Sequence, residues 1–284
     1  MDIRSIAAWL VVIATTSVPT IARAQTVRAA TRGSTARPVQ QAPEDQPSGA
    51  RSSTPEINIT LAPQAAQAPI TGRLFFFCVQ RTRTEPRLGP DWFSPEPFFA
   101  IDVANFKPGA TRRIDDRAAG FPGPLSELPA GTYRVQALLD HSLDHHHHGQ
   151  APGNLYSAVQ EWRYVPGSDE SLNLTLDHVI GPRQFARREW LREAVVASPL
   201  LSEFHGRPIE HRAAVVLPAS YGRDSRRRYP VIYVVPGFGG THYDAAREFA
   251  AGPPPVGKGE TEFIRVLLSG DCKWGHHVFA DEAA

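Results

Sequence analysis

From Ile57 onward, apolar and polar residues alternate with a period of two. Ile57, Ile59 and Leu61 fall on one side of a strand, and Leu172, Leu174 and Leu176 on one side of another, with Asn173 and Thr175 opposite. Between them lie residues 73–79 (RLFFFCV), 98–103 (FFAIDV), 132–139 (TYRVQALL) and 159–164 (VQEWRY), separated by Gly and Pro clusters at 120–124 and 129–131. Strand side chains alternate between faces and turn residues end each run, so this spacing predicts an antiparallel β-sandwich over residues 56–181.

Beyond Gly181-Pro182 the pattern changes. Residues 183–192 are charged with apolar interruptions, as in a linker or short helix, and 193–201 and 211–218 read as strands around a turn at 205–208. Residues 229–236 (YPVIYVVP) are almost wholly apolar, which predicts a strand covered on both faces in a mixed or parallel sheet. A helix over 243–251 and a second buried strand over 263–268 follow. Strand, helix, strand is an α/β layout, so the expected fold class is α/β plus all-β: the sandwich, then the first part of an α/β sheet over 182–284.

The first 24 residues have the form of an export signal. Arg4 precedes a short apolar core around residues 6–14, and Ala22-Arg23-Ala24 provides a small-x-small cleavage site. The core is too short to span a bilayer, so the expectation is a periplasmic or secreted protein with no membrane span. Residues 25–55 carry Pro38, Pro43, Pro47 and Pro55 among Ala, Ser, Thr, Gln and Arg, with few large apolar groups, and read as a disordered tether.

Charge excludes one class of partner. The 30 Lys+Arg against 29 Asp+Glu leave no cationic surplus for nucleic acid. The 26 prolines and 22 glycines favour short strands and loops over long helices. With 2 cysteines, Cys78 and Cys272, the chain is neither a disulfide scaffold nor a cysteine-built zinc site, and two buried free thiols are expected. The sequons at Asn58 and Asn173 fall inside predicted strands, where a chance match is the simpler reading.

The most informative chemistry is Gly237-Phe238-Gly239-Gly240, directly after the apolar run. Glycines there let the backbone turn sharply and present N–H groups to a developing oxyanion. A phosphate cradle of the Walker type would need Gly-Lys-Ser/Thr, which the loop lacks. Residues 198–240 (SPLLSEFHGRPIEHRAAVVLPASYGRDSRRRYPVIYVVPGFGG) resemble the opening of the esterase family of α/β-hydrolases that includes the esterase D and enterochelin esterase types, and 263–280 resemble its fourth-strand region. The resemblance implies an exported serine hydrolase of carboxylic esters, acting on a small-molecule ester without a cofactor. It also implies that the Phe238 amide, flanked by Gly237, Gly239 and Gly240, is an oxyanion donor. Pro236 stands where the family has His, which leaves a backbone donor in place.

Such an enzyme needs a nucleophile on a Gly-x-Ser-x-Gly elbow, then an acid and a His. No Gly-x-Ser-x-Gly occurs, so the chain reads as an esterase-like domain truncated before its elbow, lacking the triad and not expected to turn over. Rearranged triads from Ser220, Ser225 or Ser269 with His242, His276 or His277 and Asp244 or Asp271 can be written, without geometry to join them.

Residues 140–148 (DHSLDHHHH) form the second constellation. Imidazole and carboxylate suit zinc, copper or nickel, but a loop run does not make its ligands converge. A solvated, weakly chelating loop at His145-His146-His147-His148 is therefore expected, with no specific metal site. The alternative to an esterase is a secreted sandwich that binds a glycan through aromatic residues or a metal through this loop. At strand spacing, Phe75, Phe76, Phe77, Trp92, Phe93, Phe98, Phe99, Tyr133, Trp162 and Tyr164 read as core first.

Overall fold

The computed structural model describes residues 55–275 apart from 92, 169, 170, 224, 225, 258 and 274. The expected export signal, most of the tether and the candidates Ser225, His276 and His277 lie outside the described residues. Among the described residues, thirteen strands form two sheets with few helices. The expected boundary near 181 falls between the two sheets, and both belong to one compact unit, Gly49–Ala284.

The first sheet contains β1 (Ile57–Leu61), β2 (Ile70–Val79), β3 (Phe98–Phe106), β4 (Thr111–Ile114), β5 (Ala119–Phe121), β6 (Gly131–Asp140), β7 (Leu155–Ser157), β8 (Gln160–Tyr164) and β9 (Leu172–Val179). They run in the order β4-β1-β9-β7-β6-β2-β3-β5, with β8 also paired to β6. The sheet curls so that Ile57, Ile59 and Leu61 of β1 and Leu172, Leu174 and Leu176 of β9 share one core with Phe76 of β2, Val135 of β6 and Trp162 of β8. Each such large apolar side chain contributes roughly 1.5–3 kcal/mol by leaving water.

This corrects the antiparallel sandwich in two respects. Pairing is mixed, because β1 and β9 run parallel, with Ile57 opposite Leu172 and Leu61 opposite Leu176. Period-two alternation marks which side chains face inward and carries no strand direction. The two halves are also one sheet, because β7 pairs with β6 on one side and β9 on the other. The sequon residues Asn58 and Asn173 are opposite each other in the parallel pair, and Asn58 Nδ2 donates to Asn173 Oδ1 at 3.3 Å.

The second sheet has the order β10-β11-β13-β12, from β10 (Leu191–Ala197), β11 (Glu210–Val216), β12 (Val231–Val234) and β13 (Ile264–Leu268). β11 runs antiparallel to β10 and β13, and β12 runs parallel to β13. Residues 183–190 hold no helix. The strand expected over 193–201 ends at Ala197, and α1 (Pro199–His205) follows. Its signals are local: Ser198 caps the Leu201 N–H, Pro199 opens the first turn, and Gly206 closes it at φ 62°. The helix expected over 243–251 is a 3-10 turn (His242–Asp244) leading into α2 (Ala245–Glu248).

The position of β12 is the largest departure. The run expected to be covered on both faces is an edge strand, and Val231, Ile232, Tyr233 and Val234 are exposed by 38 to 48%. An unbroken apolar run records side-chain chemistry, not whether neighbours are present on both faces. Between the parallel strands β12 and β13 the helical content is the 3-10 turn and the four-residue α2, and the second sheet has a small core of Leu191, Ala214, Val216, Ala245, Phe249 and Leu267.

Candidate active site

β12 and β13 are parallel, so the loops leaving them emerge on the same edge of the sheet. That edge is where open α/β sheets bind ligands. The two loops are stitched together, with the Gly270 N–H donating to the Gly240 carbonyl at 3.1 Å. After β12 the chain turns at 237–240, where the Gly240 N–H donates to the Gly237 carbonyl at 2.9 Å and Gly239 adopts φ +75°. A positive φ at the third residue is the requirement of a type II turn, with Phe238 at its second position. Gly240 is needed for a different reason: a β-carbon there would come 2.7 Å from the Pro236 side chain. Of the loop amides, that of Gly240 is spent within the turn. The Phe238 ring is 76% exposed and lies against Gly275 of the loop after β13, whose added β-carbon would sit 2.9 Å from it.

The His-rich segment of the first sheet covers this edge. Asp271, three residues beyond β13, receives both neighbouring imidazoles: His145 Nδ1 lies 2.6 Å from Asp271 Oδ2, and His146 Nδ1 lies 2.6 Å from Asp271 Oδ1. Burial works against ionisation of Asp271, but the bonds from His145 and His146 outweigh it and hold the carboxyl below the usual carboxylate range. An ionised carboxylate only accepts, so in both rings Nδ1 carries the proton it donates. Two further ion pairs pin the same segment to the second sheet's loops. Lys273 Nζ lies 2.8 Å from Asp140, and Arg207 grips Asp144 through both terminal nitrogens at 3.0 and 2.5 Å.

The segment is therefore a clasp between loops, with Leu143, Asp144 and His147 still exposed to solvent. His141 Nε2 meets the Gly153 carbonyl at 2.9 Å, and His148 Nε2 meets the Gly89 carbonyl at 2.8 Å. The His148 ring stacks on Phe75 and Phe77 at 4.9 and 5.8 Å, and burial pushes its pKa down. His147 lies against His146 at 3.8 Å between ring centroids, and burial, then the neighbouring His146, lowers it as well. Among the described residues, no three His, Cys, Asp or Glu side chains are placed to hold a metal ion.

The other sequence candidates are not brought together. Ser220 hydrogen-bonds Glu262 and Tyr229, while His242 is buried on Glu193 at 3.2 Å and stacked on Phe185. Asp244 closes the capping box with Thr241. Cys78 and Cys272 are both free, one buried and the other half-buried. Phe76, Phe77, Phe99, Tyr133, Trp162 and Tyr164 are buried and form core, and Phe75 and Phe98 are half-buried, but Phe93 is exposed rather than core, and Trp92 lies outside the described residues.

The glycine loop is legible in the sequence, whereas the union of His145 and His146 with Asp271 is not. One signal was available, since Asp271, like the glycine loop, closely follows an apolar run that reads as a strand. No protein-family model and no curated protein matches the chain.

Proposed function

We propose that the edge of the second sheet is an ester-hydrolase site of the α/β-hydrolase type in an exported protein, with the Phe238 amide as oxyanion donor. The observation that carries the reading is the tight turn at 237–240, placed directly after β12 and ahead of α2. In α/β-hydrolases one oxyanion donor comes from the loop between the third strand and the following helix, and β12 is the third strand of this sheet in chain order. The substrate class is a carboxylic ester small enough to enter beside Phe238.

Binding of a tetrahedral mimic tests this without requiring a nucleophile. Methyl benzylphosphonate, a monoanion shaped like the intermediate, is titrated calorimetrically into the full chain. Proline suits the second position of a type II turn and lacks the N–H, so Phe238→Pro removes the donor while keeping the turn. The expected loss is roughly 10- to 100-fold in affinity, the worth of one hydrogen bond to a charged group. Phe238→Ala separates loss of the ring from loss of the amide. A flat titration, or Phe238→Pro binding as the unaltered chain does, overturns the reading.

A further inference from the structure

His146 has one ring nitrogen committed and one uncommitted. Nδ1 donates to Asp271, while Nε2 is sealed from solvent and has no hydrogen-bond partner. With the proton on Nδ1, Nε2 carries a lone pair. That lone pair is at the glycine loop: a β-carbon on Gly239 would come 3.8 Å from Nε2, and the Phe238 ring centroid is 6.2 Å from that of His146. The side chain is 14% exposed and its carboxylate partner 16%, so the pair sits in a partly desolvated setting where each electrostatic contact is strengthened. Carboxylate, Nδ1–H, then a free Nε2 facing an oxyanion loop is the order of groups by which an imidazole removes and returns a proton.

We propose that His146 is the proton-transfer group of this site and that Asp271 is its positioning residue. The inference rests on the ester-hydrolase reading above. Nε2 is covered at rest, and rotation of the exposed Phe238 side chain beside it opens a path for substrate while the backbone turn and its amide stay in place. A water molecule held by Nε2 attacks the ester carbonyl carbon. The new carbon–oxygen bond forms, the water proton passes to Nε2, and the carbonyl electron pair moves onto the oxygen beside the Phe238 amide. Collapse re-forms the carbonyl and breaks the bond to the alkoxy oxygen, which takes the proton from Nε2. Ester and water become acid and alcohol, and His146 returns neutral. Asp271 stabilises the transient imidazolium and takes no proton itself. The titratable and charged groups around His146 are Asp271, His145, His147 and His148, with Arg183 acting on His147 and Lys273 held by Asp140. His242, two residues after the loop, is turned to Glu193.

The test is hydrolysis of 4-nitrophenyl butyrate by the full chain across pH, compared with the same chain unfolded in urea, which presents all 11 histidines to solvent. The folded chain is expected to exceed the unfolded one. His146→Gln is expected to lower kcat/KM about 100-fold, the lower end of what a general base supplies. Asp271→Asn is expected to lower the rate less and to move the midpoint of its rising limb to lower pH, since the carboxylate no longer favours the imidazolium. A purely structural Asp271 would leave that midpoint in place, and the shift decides the matter even where His146→Gln folds poorly. His205→Gln, exposed at the end of α1, is expected to retain the full rate. The proposal falls if the folded rate equals the unfolded one, if His146→Gln matches the unaltered chain, or if Asp271→Asn leaves the midpoint unmoved. Phosphonate binding without His146-dependent hydrolysis removes this role and leaves the oxyanion reading standing, whereas loss of both removes both.

Discussion

Gly239 and Gly240 are adjacent and do different work. Gly239 takes a backbone angle that side chains disfavour, while Gly240 leaves room where a β-carbon would meet Pro236 at 2.7 Å and the Gly237 carbonyl at 3.0 Å. Gly240→Ala is therefore expected to cost about 1–3 kcal/mol, as overpacking does. Gly237→Ala, with nothing within 4 Å of its added carbon, is expected to stay within about 0.5 kcal/mol. Urea midpoints of the two variants check this, and equal midpoints would show that the loop yields. This much was legible from the residues, because a glycine run after an apolar strand has few physical uses. The partners of Asp271 were not legible. His145 stands 126 residues from it in sequence, and local pattern carries no information about which loops the fold will bring together.

At the scale of elements, periodicity located nearly every long strand and missed β4, β5 and β7, which are three or four residues each. Runs that short complete no convincing alternation. β7 mattered most, since it joins the two halves of the curled sheet and turns an expected sandwich into one surface. β12 shows the opposite limit: its pattern is clear, and yet it predicts the wrong burial. An exposed, apolar edge strand is a template for pairing with other chains. Ile232, at 43% exposure, is the position at which to test that. Ile232→Glu, opposite Arg265 in the parallel pair, is expected to change the unfolding free energy by no more than about 0.5 kcal/mol while reducing light scattering at high protein concentration. Unchanged scattering would mean that the edge is not where chains associate. The same exposure explains why β11, paired on both sides, and not β12, carries the small second core.

For the whole molecule, the groups that join loops to sheets also set its response to acid. His148 and His242 are pushed down by burial, against the Gly89 and Glu193 contacts that favour their charged forms. The unfolded chain therefore takes up protons first. Their contribution to stability is complete above the free imidazole value of about 6.5 and is lost as the pH falls from there through their lower folded values. Asp271 and Glu96 act in a lower range. Burial opposes ionisation of both, but the two imidazoles on Asp271 and the Gln80, Arg81 and Thr82 amides on Glu96 hold them below the usual carboxylate range. What they contribute is present above the free carboxylate values of about 4 and disappears as the pH falls through their folded values. Urea unfolding is thus expected to show a level midpoint above about pH 7, a first decline beginning near 6.5, and a second below about 4. Each differentially bound proton adds at most about 1.36 kcal/mol per pH unit to the slope. His148→Phe, which keeps a ring beside Phe75 and Phe77, is expected to make the first decline shallower and leave the second unchanged. A midpoint level from pH 7 down to 5 in the unaltered chain would show that the buried imidazoles take up protons without cost, and that the contacts of His148 and His242 do not depend on their being neutral.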